Sequence, residues 1–512
     1  MIPGRNIIRK TLRHLCPVTK VLFVSFILFF SPFQSEGAVA SDDFKTVDSE
    51  THRLFAEKKW DSVIIVGKRA LRDNIDYFYL RLRMGISFFE IRKYLQAIDH
   101  LEKAHGFNSG DPMTMEYLFE SYIITGRNLE ARALAMKMPP ALREKLQSPL
   151  KLVDNIHAEV GYTLSSNNEK FENPQLMGQD SIYGEQDLYG NHSYLNLGLT
   201  LNISPKISLN LAYNYLNFSK RKYFQYGYYQ DRLDSTTNYW WGYENHYSWD
   251  KKVTSYQEKY DVNQHELYAG SVFQLPKGIK LMPAIHLIYS SSAEPMSVYE
   301  GKTIYDTIFI DTITPDASVY SFEQASYSFS AKNKRFINYL FSLMITKDFS
   351  VFTSGLAGSF SNLNSKNQTQ LCWSLTYYPW GRTNIYGSSS VTGLFQDDAS
   401  RVIFQQVIGG RILPRLWAEG SVIIGDLTNV NLMNGYIVYN NTDKINYRLG
   451  ATLLYSLTKN IDISLIYHYF SNESLNFYYV LDPDDISHPV KTETKNDKYQ
   501  TNTIIGGITW KF

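Results

Sequence analysis

The sequence predicts a helical domain followed by a transmembrane antiparallel β-barrel of about fourteen strands, and three observations predict it. From Asn155 onward, apolar and polar residues alternate with a period of two over many segments. Those segments are joined alternately by tight turns and by long polar stretches. The chain closes on TNTIIGGITWKF, an alternating strand whose last residue is Phe512.

The amino-terminal part carries a different pattern. Arg5, Arg9, Lys10, Arg13 and Lys20 precede the apolar run VLFVSFILFFSPF, and Ala38-Val39-Ala40 supplies small residues for cleavage. This is the layout of a secretory signal peptide spanning residues 1–40. Cys16 lies before the apolar run, so the mature chain keeps Cys372 alone and can form no internal disulfide. After the first forty residues no run reaches about 18 consecutive apolar residues, so no helical span is expected.

Residues 41–150 read as helical, with apolar residues three and four apart. A period of 34 runs through them: Lys59 recurs as Lys93 and Arg127, Ala70 as Ala104, Ala97 as Ala131. Within the middle unit, Met84, Gly85, Phe88, Ala97, Leu101 and Ala104 stand at spacings that resemble a tetratricopeptide repeat. The resemblance covers about a fifth of the chain, and the third unit departs from it at Phe119, where the family has Gly. It implies a concave face, formed by Tyr79, Leu82, Ile86, Phe89, Met113, Glu120 and Ile123, that binds a periplasmic protein or peptide. Pro139-Pro140 marks the end of this domain.

Residues 151–512 carry the strands. Ile156, Ala158, Val160, Tyr162 and Leu164 share one face, and Leu195 to Ile203 repeat the device before Ser204-Pro205-Lys206 turns the chain. Further tight turns fall at Pro276-Lys277-Gly278, Lys347-Asp348, Pro379 to Arg382, Leu413-Pro414 and Thr458 to Asn460. Between them lie Ser165 to Gly190, Ser219 to Asn263, Ser290 to Lys334, Asp426 to Lys444 and Ser471 to Lys498, expected as long loops on the opposite side. Short turns at one end and long loops at the other are the habit of outer-membrane barrels. The 39 Tyr suit their interfacial girdles.

The polar face assigns Glu159, Lys280, His286, Arg411, Glu419, Arg448, Asp462 and His468 to the lumen, where charge tunes what passes or knits a plug. His265 shares the lipid-facing parity of Leu267. The segment from Ser219 to Asn263, rich in Tyr and Trp, is open to two readings: rings that bind a glycan or protein, or rings that pack on their own strands. The balance of 51 basic and 50 acidic residues argues against nucleic acid. No phosphate loop, zinc spacing or dinucleotide fingerprint is present, no cofactor is expected, and no catalytic constellation can be placed from spacing.

The closing strand resembles that of bacterial outer-membrane barrels. Gly507, Trp510 and Phe512 match the ending that the barrel-assembly machinery reads in that family, although Ile505 stands where the signal is normally polar. Signal peptide, repeats and barrel in this order resemble export barrels linked to tetratricopeptide repeats, such as exopolysaccharide secretion porins and Slam-type lipoprotein exporters, and also the YaiO-like barrels. The resemblance implies a Gram-negative outer-membrane location with a periplasmic amino-terminal domain. It further implies transport, or the export or assembly of a polymer or protein at the surface. The alternative is a structural or adhesive protein acting through its aromatic loops.

Overall fold

In the computed structural model, residues 43–146, 151–170, 181–240, 242–311, 316–324, 326–396, 399–481 and 490–512 are described. The expected signal peptide and Cys16 lie outside them.

Among the described residues seven helices come first: α1 Phe44–Ala56, α2 Trp60–Arg72, α3 Phe78–Glu90, α4 Tyr94–Phe107, α5 Pro112–Ile124, α6 Asn128–Ala135 and α7 Pro140–Lys145. The 34-residue period is in the geometry. Helices begin at 44, 78 and 112 and at 60, 94 and 128, and the turn inside each pair has a left-handed residue at Lys58, Arg92 and Gly126. Each turn closes with the same backbone bond, Lys59 to Leu54, Lys93 to Phe88 and Arg127 to Tyr122. Gly85 is small because a Cβ there would stand 2.6 Å from Cγ of Leu101. The helices bury Leu80, Met84, Phe88, Ile98, Leu101 and Leu118 between them.

That burial corrects part of the expected concave face. Leu82 and Ile86 are core residues. Their three-and-four spacing is shared by the inner and exposed faces of a stacked helix, so periodicity alone could not separate them. Tyr79, Met113 and Ile123 are exposed, while Phe89 and Glu120 are half-buried.

The strands follow as β1 Val153–Ser165, β2 Ser181–Ser204, β3 Ile207–Tyr239, β4 Gly242–Leu275, β5 Ile279–Tyr299, β6 Lys302–Asp311, β7 Asp316–Gln324, β8 Tyr327–Asp348 and β9 Phe352–Ser361. They continue as β10 Gln368–Tyr377, β11 Ile385–Gln396, β12 Ala399–Leu413, β13 Leu416–Ile424, β14 Asn431–Leu432, β15 Ile437–Val438, β16 Lys444–Ser456, β17 Ile461–Leu481 and β18 Val490–Lys511.

Fourteen of them form a ring, in the order β1-β2-β3-β4-β5-β8-β9-β10-β11-β12-β13-β16-β17-β18, and β18 pairs back onto β1. At that seam Ile156 faces Trp510, Val160 faces Gly506 and the Phe512 N–H donates to the Asp154 carbonyl at 2.9 Å. A closed antiparallel ring has no free edge, which is the condition for backbone to cross lipid. The outer face is apolar in the way lipid requires: Val160, Leu197, Leu267, Leu356, Ile463 and Ile508 are all exposed. A girdle of rings, Tyr213, Tyr215, His265 and Tyr289, caps that band toward the long-strand end, where His265 Nδ1 bonds the Tyr213 hydroxyl at 2.8 Å.

The expected long loops are mostly strand. β3 and β4 have 33 and 34 residues, whereas crossing a bilayer takes about 9–11. Beyond the girdle, β2 to β5, β8, β17 and β18 continue as a tall half-wall, and the distal part of β17 pairs with β2 from Phe477–Glu185 to Val480–Ser181. Inside it Tyr183, Phe224, Tyr226, Tyr256, Tyr327 and Phe329 stack on one another. The Tyr-rich segment therefore packs on its own strands, at least through Tyr226 and from Tyr256 on.

The helical domain docks on the short-turn end. Arg127 reaches Asp348 at 3.7 Å between β8 and β9, and Lys280 of β5 pairs with Asp348 at 2.9 Å and with Glu130 of α6 at 4.0 Å. Arg382 donates to the Ile91 carbonyl at 3.1 Å, and Gly381, with positive φ, lies against Gln96. Burial works against the charge of Arg127, and the carboxylates of Glu130, Glu102 and Asp348 more than offset it, raising its pKa.

Candidate functional site: a segment folded into the lumen

The stretch Asp426 to Lys444 was expected as an external loop; instead residues 425–443, between β13 and β16, fold into the barrel. The entry is forced at Gly425: its φ is +127°, and a Cβ there would stand 2.7 Å from the Val402 carbonyl oxygen. Asp426 then accepts from the Thr428 N–H at 3.0 Å and pairs with Arg401 at 3.1 Å. Leu427, Val430 and Leu432 pack on Leu394, Ile403, Ile423 and Ile445. Leu394, Ile403 and Ile423 have the lumen-facing parity, so apolar side chains on the wall's polar face are the sequence signal of something covering them.

β14 and β15 pair as a two-residue hairpin, turned by Met433, Asn434 and Gly435, all at positive φ. Its tip is held from several sides. His286 Nδ1 donates to the Gly435 carbonyl at 2.7 Å, Ser342 donates to Asn434 Oδ1 at 2.6 Å, and Asn434 donates to the Met282 carbonyl at 2.9 Å. The Tyr436 hydroxyl bonds His157 Nε2 at 3.1 Å and donates to Asn196 Oδ1 at 3.3 Å. Gln370 reads the backbone of Asn431 in both directions, donating to its carbonyl at 2.6 Å and accepting from its N–H at 3.1 Å. On the return, Arg448 donates to the Tyr439 hydroxyl at 2.8 Å, Asn440 to Asn338 Oδ1 at 3.2 Å, and the Tyr499 hydroxyl to Asp443 at 2.8 Å.

Asp443 sits above the girdle, and burial pushes its carboxyl up to about 7, against the pull of the Tyr499 hydroxyl and Lys220. The anchors come from β1, β2, β5, β8, β10, β16 and β18, so the segment spans the lumen as a constriction.

Of the eight charges assigned to the lumen, His286 and Arg448 hold the segment directly, and His468 lines the space beside it. Glu159 accepts from Tyr194 at 3.4 Å, and Glu419 from Tyr386. Lys280 and Asp462 are tied up nearer the short-turn end, Asp462 with Lys511 at 2.7 Å, and Arg411 is exposed there. Gln370, Asn431, Asn434 and Tyr436 were missed, because their partners lie as far as 279 residues away in sequence.

Above the constriction lies a chamber of about 610 Å³ between the segment's return arm and the wall of β2 to β5, β8, β16 and β17. It combines rings, among them His192, Phe218, Tyr439 and Phe470, with amides such as Asn338 and Asn472. Among the described residues no cluster of His, Cys, Asp and Glu has the makings of a metal site.

No family model and no curated protein matches the sequence. Barrels of similar architecture among solved structures include a FadL homologue of Pseudomonas aeruginosa, 9% identical, with 70% of this chain aligned to 90% of that one at a TM-score of 0.40. The Ralstonia pickettii toluene transporter TbuX is 8% identical, with 72% and 93% covered at a TM-score of 0.35. The Pseudomonas putida toluene transporter TodX is 6% identical, with 71% and 90% covered, also at 0.35. The chain has the fold of a closed fourteen-stranded antiparallel β-barrel.

Proposed function

We propose that the chain is a gated outer-membrane channel for small solutes, with residues 425–443 as its constriction and the helical domain as a periplasmic docking module. The observation that carries the reading is the ring of hydrogen bonds around the hairpin tip, from His286, Ser342, Tyr436 and Gln370. Such bonds fix a constriction without filling the chamber beside it, and charges at that level tune passage. Export of a polymer or a folded protein would require the whole segment to leave the lumen, so transport of small molecules fits the geometry better. The recurring turns at Lys58, Arg92 and Gly126 support reading the helices as tetratricopeptide repeats, and Tyr79, Met113 and Ile123 as the exposed part of a peptide-binding face.

A second reading, a structural or adhesive protein with a closed lumen, draws support from Trp240, exposed at the tip of the β3–β4 hairpin. Planar-bilayer recording on the purified chain separates the two. Small, stable currents that grow when the tip from Leu432 to Ile437 is replaced by a short Gly-Ser turn support the channel. Silence in both forms, with the barrel correctly folded, refutes it.

A further inference from the structure

Among the described residues that line the chamber, Arg448 is the one Lys or Arg cation without a carboxylate partner. Lys220 is paired with Asp187 at 3.1 Å, Lys334 with Glu294 at 2.7 Å, and Glu266 lies 3.3 Å from His286 while accepting from Asn214 and Gln264. Arg448, only 6% exposed, also lines the chamber. Its hydrogen bond is to a neutral group, the Tyr439 hydroxyl, and its Nε has no partner among the described residues. A guanidinium has five donors and keeps its charge at any ordinary pH, so burying one with a single neutral acceptor is costly unless something else satisfies it. Around it, Phe470 is its cross-strand neighbour on β17, and Tyr439 packs edge-on to Phe470 at 6.2 Å. Phe218 and His192 stand on the opposite wall with centroids 5.1 Å apart.

We infer that the chamber binds a compact amphipathic monoanion, an aromatic carboxylate in its simplest form, with the carboxylate on Arg448 and the ring among Phe470, Tyr439 and Phe218. Several of the amides that line the chamber are engaged with the protein: Asn338 donates to the Asn362 carbonyl, Asn472 to Thr501, and Gln264 to Glu266. One anionic head and an apolar body match the Arg448 guanidinium and the rings around it. A volume of about 610 Å³ falls in the range of small-ligand sites and admits one or two fused rings.

The inference rests on the channel reading only in that the chamber must be reachable from the long-strand side, and binding can be measured without conduction. The test is calorimetric titration of the full-length mature chain in detergent with naphthoate and with its neutral counterpart naphthalenemethanol. Naphthoate is expected to bind at least about tenfold more tightly, a charge-assisted Arg–carboxylate contact being strong and directional. That preference disappears in Arg448→Gln, which keeps a donor for Tyr439, and survives in Arg448→Lys. Should Arg448→Gln fail to fold, raising salt on the native protein weakens naphthoate binding and leaves the alcohol unchanged. Equal affinity for both compounds, or a preference untouched by Arg448→Gln in a folded barrel and by salt in the native one, overturns it. A protein that binds naphthoate as described yet passes no current keeps this inference and loses the channel.

Discussion

Replacing Gln370 by Leu tests the constriction where it is most simply held. The Gln370 amide pairs with both the carbonyl and the N–H of Asn431, at 2.6 and 3.1 Å, and is 5% exposed. Leu is one bond shorter and has neither donor nor acceptor. Two buried backbone groups would be left without partners, each costing about 1–3 kcal/mol. The sum is about 2–6 kcal/mol, and its lower end is the better guide because water in the lumen compensates part of it. About 2 kcal/mol shifts the held-to-released ratio by about thirtyfold. The side chain of Asn431 keeps its 2.9 Å bond to Ser359, so the segment is loosened and not deleted. Two readouts apply: open probability in planar bilayers, and the rate at which an impermeant thiol reagent added from the long-strand side modifies Cys372. That thiol shares the lumen-facing parity of Gln370, two residues nearer the short-turn end of β10. Both should rise by at least about tenfold. A folded Gln370→Leu barrel with native currents and native labelling would show that this pairing does not hold the segment.

Three further outcomes are expected. Asp443→Asn removes a pH response: the native carboxyl, raised to about 7 from an ordinary 3.8, stabilises the closed segment below pH 4 and loses that contribution as pH rises through about 7. Conductance of the native protein should therefore increase between about pH 4 and 7 and that of the variant should stay flat. His100, stacked on Phe88, is held down to about 3 by burial and by Arg81, so it stays neutral in the folded helical domain while the unfolded chain takes up a proton near 6.5. Stability is thus lost as pH falls below that value, by about 3 kcal/mol at pH 4, visible as a lower midpoint in thermal circular dichroism of the helical signal. Gly85→Ala drives a methyl into Leu101 and should cost the helical domain about 1–3 kcal/mol while leaving the barrel's strand signal in place.

The ring was legible because lipid on one side and water on the other impose a two-residue rhythm that each strand displays alone, as Leu195 to Ile203 and Ile504 to Phe512 do. Even the seam between β1 and β18 follows from a closing strand whose outward side chains are Ile504, Ile508 and Trp510. What failed was anything decided between strands. A polar segment that turns outward and one that turns inward have the same composition, and they are told apart by pairings such as that of Gln370 with Asn431, 61 residues apart. The height of the half-wall was hidden for a related reason: above the membrane both faces of β3 and β4 meet water or protein, and alternation fades although pairing persists. Leu394, Ile403 and Ile423 were the clue available in advance, greasy side chains where the rhythm called for wet ones.

The contact between helices and barrel also sets an order of events. Asp348 and Gly381 belong to turns that acquire their shape only when neighbouring strands have zipped together, whereas Glu102 and Glu130, the other acidic neighbours of Arg127, come from the helices themselves. The amino-terminal domain can therefore fold early with its cation already neutralised, wait while the cylinder is assembled, and latch on as the final step. Were the Arg127 cation dependent on Asp348 alone, the first part of the chain to be synthesised would be the last to become stable.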